Sequence, residues 1–465
     1  MATERFDAIV VGTGQGGGPL AGALADDGRR TAIIERGEIG GSCINVGCTP
    51  TKTMVASARI AHLARRAADY GIETGLITVD QAKVRERKRA IVRDFRGGST
   101  AGLQSHERLT MIHGEARFTA AKTLAVRLAD GTERVLTADL VILNPGLRPA
   151  TPTIPGLEAV DALNSTSIME LDQTPTHLLV LGGGYIGLEF GQMFRRFGAE
   201  VSIVQRGDQL LGREDADVAD AITAIMREDD IDIRLESEAT GVTRKGDGAI
   251  SLTIRTGTKE HNLTGTHLLV ATGRAPNTEK LDLAAGGVRT DEHGYIVADE
   301  HLATSAPGIY VIGDAKGGPA FTHIAYDDFR ILRTNLIEDG RASTRDRQVP
   351  YTVFIDPQLG RIGLGEDEAK ALGRAVRVAK IPMTSVARAI EMDETRGFMK
   401  VLVDAETDRI LGAAILGIEG GELMSMLQIA MLGNLPYTAL RDATFAHPTL
   451  AESFNNLFGQ LEPAP

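Results

Sequence analysis

Cysteine is nearly missing from this sequence: two residues among 465. That excludes an extracellular disulfide framework, which needs several pairs. Basic charge is short as well. Lys and Arg number 50 against 62 Asp and Glu, a formal net charge of −12. Duplex binding needs a concentrated basic surface, and the one basic run, Arg85–Arg89, reads as the wet face of a helix. No nucleic-acid partner is expected, and the acidic balance fits small-molecule partners. Met1 to Asp7 lacks a basic leader, so no secretion signal is expected. Long apolar runs are also wanting. Ala8 to Ala25 is uncharged over 18 residues, but six Gly and Pro19 interrupt it. It reads as strand, glycine turn and helix, not as a membrane span. The expectation is a cytoplasmic protein with no membrane segment.

Glycine is abundant: 53 of 465 residues, against ~7% on average, with no collagen-like period. Tight turns close to ligands explain such an excess. The rest of the composition, 43% hydrophobic and 24% charged, is that of a globular chain, and at ~150 residues per domain the length implies about three.

Asp7–Val11 is a β-rich run, a helical pattern follows to Asp27, and Thr31–Glu35 is a second strand, which together make a βαβ unit. Residues 51–70 and 81–107 predict long polar-faced helices, and 109–118, 123–128 and 133–144 predict strands. The βαβ pattern then recurs: strand His177–Gly182, helix Tyr185–Phe197, strand Ala199–Gln205. Residues 265–345 add strands and end in a helix. After Gln348-Val349-Pro350 come strands, a helix at 366–372, strands at 398–404 and 410–418, and a final helical region. The fold class is α/β: two Rossmann-like dinucleotide-binding domains, 1–150 with 266–345 and then 151–265, plus a C-terminal α+β domain, 346–465.

Gly12-x-Gly14-x-x-Gly17 follows the first strand and opens a helix, and Glu35 ends the next strand. Bare backbone lets a pyrophosphate approach, the helix N-terminus attracts it, and the carboxylate takes the ribose hydroxyls. Gly182-x-Gly184-x-x-Gly187 repeats the device, but its second strand ends Val204-Gln205-Arg206, without an acid, and Arg213 lies seven residues further on. Loss of the ribose acid and gain of Arg favour a 2′-phosphate, hence NADPH over NADH. Both cysteines fall in Gly41-Ser42-Cys43-Ile44-Asn45-Val46-Gly47-Cys48-Thr49-Pro50-Thr51-Lys52. Three readings fit: a reducible disulfide at a helix start, two small buried side chains, or half of a metal site. Zinc needs further ligands at suitable spacing, and no such cluster is found, so no metal is expected.

This segment resembles the active-site motif of the FAD-dependent pyridine nucleotide–disulfide oxidoreductases, the family of glutathione reductase, lipoamide dehydrogenase and mercuric reductase. Ala271-Thr272-Gly273-Arg274-Ala275-Pro276-Asn277 and Ile309-Tyr310-Val311-Ile312-Gly313-Asp314 resemble two further motifs of that family, so the resemblance spans nearly the whole chain. It implies an FAD enzyme in which Cys48 faces the flavin and Cys43 meets substrate. Lys52 then lies near the flavin and pairs with Glu189, Gly41, Ser42 and Gly273 are cofactor-binding, and Asp314 holds the ribityl chain. Tyr185 becomes a lid over the nicotinamide. His447-Pro448-Thr449-x-x-Glu452 resembles the family's acid–base dyad, which reaches the other subunit, so a homodimer is implied. His323 has no such partner and reads as a satisfied buried histidine.

Gly47–Lys52, Ala387–Glu391 and Gly397–Val401 look most like a branch often labelled mercuric reductase. The N-terminal metal-binding domain and the second, C-terminal Cys pair of true mercuric reductases are both lacking. A neighbouring branch contains flavoproteins of the reactive-chlorine response, which reduce hypothiocyanous acid or Cu(II). The implied activity passes electrons from NADPH through FAD and a Cys43–Cys48 disulfide to a small oxidised substrate. That substrate is a disulfide, a metal ion such as Hg(II) or Cu(II), or a reactive oxidant. The alternative is a non-catalytic, flavin-containing dithiol protein that binds metal or senses redox state. It leaves Tyr185, His447 and the second glycine motif without purpose.

Overall fold

The computed structural model describes residues 3–246 and 248–461. They form two units. The first comprises the residues up to Met54, Lys83–Ala150 and Gly273–Arg347. The second comprises Val55–Ala82, Thr151–Thr272 and the residues from Gln348 onward. The second βαβ segment and the C-terminal α+β segment therefore share one unit.

In the first unit, β1 (Thr3–Val11) is followed by α1 (Gly17–Asp26) and β2 (Thr31–Glu35). β1 lies between β2 and the strand Glu133–Leu143, parallel to both. Leu109–Ala120 extends the sheet beyond β2 and Ile309–Val311 beyond Glu133–Leu143, again in parallel. The strand Thr123–Leu128 joins Leu109–Ala120 to Glu133–Leu143 as an antiparallel meander. Ala8–Val11 of β1 are apolar without a break because both faces are covered there, as in any parallel sheet with a layer on each side. Ala8 and Val10 pack with Leu20 and Leu24 of α1 and with Phe329. Ile9 and Val11 pack with Phe118, Leu124 and Val126.

The expected helices at 51–70 and 81–107 are observed as Cys48–Arg65 and Gln81–Gln104. The first is followed by a tighter turn, Ala67–Tyr70, which Gly71 ends at φ +76, a conformation that favours glycine. The basic run Arg85–Arg89 is a wet face in part: Glu86 and Arg87 are exposed, but not every cation is. Lys88 is 3% exposed and Arg87 donates to the Thr53 carbonyl at 2.9 Å. Long basic stems cover apolar surface while their head groups find oxygen acceptors.

In the second unit, a parallel sheet runs in the order His267–Val270, His177–Leu181, Glu200–Val204, Ile231–Arg234. The helix Tyr185–Phe197 stops at Gly198, φ +114, whose N–H caps the Phe194 and Arg195 carbonyls. An antiparallel sheet of Ser237–Arg244, Ile250–Thr256 and Lys259–Gly265 was not evident in the sequence. Its last strand is almost wholly exposed and polar, so no apolar period marks it. The C-terminal part is a five-stranded antiparallel sheet in the order Tyr351–Val353, Gln358–Gly363, Ile410–Gly417, Phe398–Asp404, Val376–Pro382. Leu423, Met424 and Leu427 of the helix Gly420–Leu432 join its core. Among the described residues no helix is long and apolar enough to cross a membrane.

Candidate active site

The first glycine turn is built by close backbone approach. A β-carbon on Gly12 would lie 2.2 Å from the Asn144 carbonyl oxygen, and one on Gly17 2.2 Å from that of Gly12. Glu35 Oε2 accepts from Thr13 N at 3.0 Å and Thr13 Oγ1 at 2.7 Å, and Oε1 accepts from Gly37 N at 2.9 Å. The carboxylate is thus pinned at the mouth of the turn. No side chain caps α1, and its first turn holds no acid, so nothing competes with an anion for its N-terminal N–H groups. This arrangement fits the pyrophosphate and ribose of FAD. Asp314 lies in the turn Gly313–Lys316. Burial pushes its carboxyl up, against the pull of Arg274, whose Nη1 is 3.1 Å away.

The cysteine segment is pressed onto that turn. A β-carbon on Gly41 would lie 2.6 Å from the Gly14 α-carbon. Asn45 holds the segment from below, donating to the Ile39 and Gly41 carbonyls at 2.9 Å each and accepting from Arg96 at 2.8 Å. Cys43 lies in the short helix Gly41–Asn45, with Ser42 exposed beside it, and Cys48 opens Cys48–Arg65. A helix start favours thiolate. The two thiols are not joined in a disulfide. The hydrogen-bonding contact with Cys48 first, and burial second, push the Cys43 thiol far up, while Thr322 and Lys52 pull the other way. Cys48 Sγ lies 3.3 Å from Thr322 Oγ1.

The second glycine turn repeats the first. β-Carbons on Gly182 and Gly187 would lie 2.5 Å from the Ala271 oxygen and 2.0 Å from the Gly182 oxygen, whereas Gly184 faces open space. Gln205 Oε1 accepts from Gly183 N at 3.0 Å, the same role that Glu35 plays toward Thr13 N. Gln205 thus stands where the ribose acid stands in the first turn, without its charge. Arg206 and Arg213 are exposed. Tyr185 is exposed at the first position of its helix, which no side chain caps. The uncapped turn fits a nicotinamide nucleotide. Buried Glu189 accepts from Phe354 N at 2.9 Å.

His447 Nδ1 lies 2.9 Å from Glu452 Oε2, and the ring is 74% exposed. The carboxylate orients the imidazole and leaves Nε2 toward solvent, as a group waiting for a substrate or a second chain requires. His323 is not the buried histidine expected. It is exposed, stacked on Phe321 with ring centroids 5.3 Å apart. Asn144, Thr322 and Asp328 were missed in the sequence. Asp328 is fully buried and accepts from Gly313 N and Lys316 Nζ, both at 2.8 Å, and from Arg347 at 2.7 Å. An acid on an amphipathic helix gives no local sign of such a role. Asn144-Pro145-Gly146 at a strand end was the one readable hint.

Residues 6–328 match the pyridine nucleotide-disulphide oxidoreductase family, and residues 349–458 match its dimerisation domain. A probable pyridine nucleotide-disulfide oxidoreductase, RclA of Escherichia coli K12, is 35% identical over 463 residues, covering 99% of this chain and 100% of that protein. A mercuric reductase of Staphylococcus aureus is 33% identical over 451 residues, covering 96% and 81%. Among solved structures, the Cu(II) complex of the HOCl-induced flavoprotein disulfide reductase RclA from E. coli superposes with a TM-score of 0.90 at 34% identity, covering 99% and 100%. With both family segments matched in order and relatives aligned from end to end, this chain belongs to the pyridine nucleotide-disulphide oxidoreductases and is a flavoprotein disulfide oxidoreductase dependent on NAD(P)H.

Proposed function

We propose that the enzyme moves electrons from NADPH to a small thiol-reactive oxidant by way of the Cys43–Cys48 pair. The observation that carries this reading is the pair itself: two neighbouring thiols, not joined in a disulfide, on a segment pressed against the first glycine turn. FAD, when bound, supplies a hydride acceptor for NADPH and a two-electron reductant for the Cys43–Cys48 disulfide. Lys52 would orient the flavin edge. Segments 1–150 and 273–345 hold FAD and 151–272, which includes the strand His267–Val270, holds NADPH.

For a disulfide substrate, Cys43 gives up its proton to His447 and attacks one sulfur, forming a mixed disulfide. The leaving thiolate takes that proton back. Cys48 thiolate then attacks Cys43 sulfur, closes the disulfide and expels the second half of the substrate as a thiolate, which takes its proton from solvent. Two electrons leave the pair. Two Cu(II) ions would accept the same two, one each. His447 and Glu452 come from the partner subunit of a homodimer joined through 346–465, and the compartment is the cytoplasm.

Several relatives are mercuric reductases, and a related structure carries Cu(II), so both ions belong in the test. The chain has no thiols beyond Cys43 and Cys48 to collect Hg(II), which favours Cu(II) or an oxidant. The deciding experiment follows NADPH consumption with glutathione disulfide, lipoamide, Hg(II), Cu(II) and hypothiocyanous acid. At least one should give turnover that Cys43→Ser and Cys48→Ser each abolish. Turnover with every substrate in both variants would overturn the proposal. NADPH should exceed NADH in kcat/KM by about 10-fold or more, which needs only ~1.4 kcal/mol. Equal use of both would remove the role given to Arg206 and Arg213.

A further inference from the structure

The loop after Glu200–Val204 is held by groups that nucleotide binding itself does not call for. Leu211 N donates to the Gly183 carbonyl at 3.0 Å, with Leu211 in the left-handed region at φ +47. Leu210 is fully buried against Gly183. Glu236 N donates to the Gly207 carbonyl at 2.9 Å, and the Gln209 amide to that of Glu214 at 2.9 Å. A leucine at positive φ persists only where its surroundings over-determine it.

Here the surroundings are charged side chains of the C-terminal sheet. Buried Glu214 accepts from Arg361 Nε at 3.2 Å and from the Tyr351 hydroxyl. Arg361 also donates to the carbonyls of Ile362, Gly363, Leu364 and Ala413, so it cannot swing away. Asp215 accepts from Lys400 Nζ at 2.6 Å and from Glu366 N at 3.0 Å. Lys400, 1% exposed, also meets Asp217 at 2.7 Å and Glu366 at 2.8 Å. The acidic trio Asp215, Asp217 and Glu366 shares the Lys400 ammonium, with Lys380 a further 2.7 Å from Asp217, and serves as a clamp.

Arg206 and Arg213 sit on the loop so clamped. We propose that the Glu214–Arg361–Tyr351 and Asp215–Lys400 contacts position this loop for 2′-phosphate recognition, so that nucleotide discrimination depends on residues of the C-terminal sheet. The inference rests on the NADPH reading above.

The test uses the full-length, FAD-loaded protein carrying Glu214→Gln, with Tyr351→Phe as a milder variant that removes one hydroxyl. Calorimetric titration with adenosine 2′,5′-bisphosphate and with AMP reads phosphate recognition apart from turnover. Both variants should weaken the bisphosphate about 10-fold, the scale of one charge-assisted contact, and AMP hardly at all. KM for NADPH should rise in step, with kcat and the KM for NADH little changed. Equal weakening of both ligands, or an unchanged preference in the folded Tyr351→Phe and Glu214→Gln proteins, overturns the clamp alone. If the unmodified protein binds the bisphosphate no better than AMP, the NADPH reading fails and takes the clamp with it.

Discussion

Cys43 and Cys48 are chemically equal in the sequence and unequal in the fold. The contact with Cys48 and burial push the Cys43 thiol up, while Cys48 is exposed, opens a helix and touches Thr322. The long-wavelength absorbance of a thiolate beside oxidised flavin should therefore belong to Cys48. Cys48→Ser should lose that band on addition of NADPH while retaining FAD, and Cys43→Ser should keep it. A spectrum with the opposite pattern reverses the assignment. His447 makes a second residue-level prediction. Its exposed ring is oriented by Glu452, so His447→Ala should slow disulfide turnover by ~10²-fold, the usual scale for a lost acid–base group. Flavin reduction by NADPH, followed by stopped flow, should be nearly unchanged. Metal-ion turnover should fall less, because no thiol leaving group needs a proton. Equal loss in both substrate classes would assign His447 a structural role.

At the scale of elements, both dinucleotide turns were legible because each is local: strand, glycines and helix lie within one short stretch of chain. The position of Gln205 was also legible, and the structure adds that its amide closes the turn as Glu35 does. Asp328 was not legible. Its partners Gly313, Lys316 and Arg347 lie on separate segments, and only packing brings them to the helix Thr322–Leu336. Asp328→Asn keeps the shape and removes the charge opposite two buried cations. It should destabilise the protein by about 3–5 kcal/mol, the range for breaking a buried pair. Urea unfolding of the FAD-loaded protein measures this, and a loss below about 1 kcal/mol, the value of an exposed pair, would show the pairing to be superficial.

For the whole molecule, acid stability depends on a histidine that no motif announced. His62 is half-buried, and its Nε2 has no hydrogen-bond partner among the described residues. Burial first, and Arg196 second, lower its pKa from 6.5 to about 4. The folded state therefore keeps His62 neutral where the unfolded chain binds a proton. Stability from this source is full above pH ~6.5 and is lost as the pH falls toward about 4. The unfolding free energy of His62→Leu should fall less steeply across that window than that of the unmodified protein. Parallel slopes would assign the acid loss to carboxylates alone.

The sequence by itself determined the parts whose chemistry is written in adjacent residues. These are the two glycine turns, the acid Glu35 at the end of the second strand and Gln205 in the corresponding place, the paired cysteines, and the His447–Glu452 spacing. Their meaning survives without knowing the fold because covalent neighbours remain neighbours. Only the tertiary structure decided what distant segments do to one another. Thr322 reaches Cys48 across 274 positions, Arg361 and Lys400 grip Glu214 and Asp215 across 147 and 185, and Lys88 is buried within a run that reads as solvated. A hydrophobic period records which face of an element is covered, but not which charged group on another segment will meet it. That pairing is set when the elements pack, and burial then makes it costly to break.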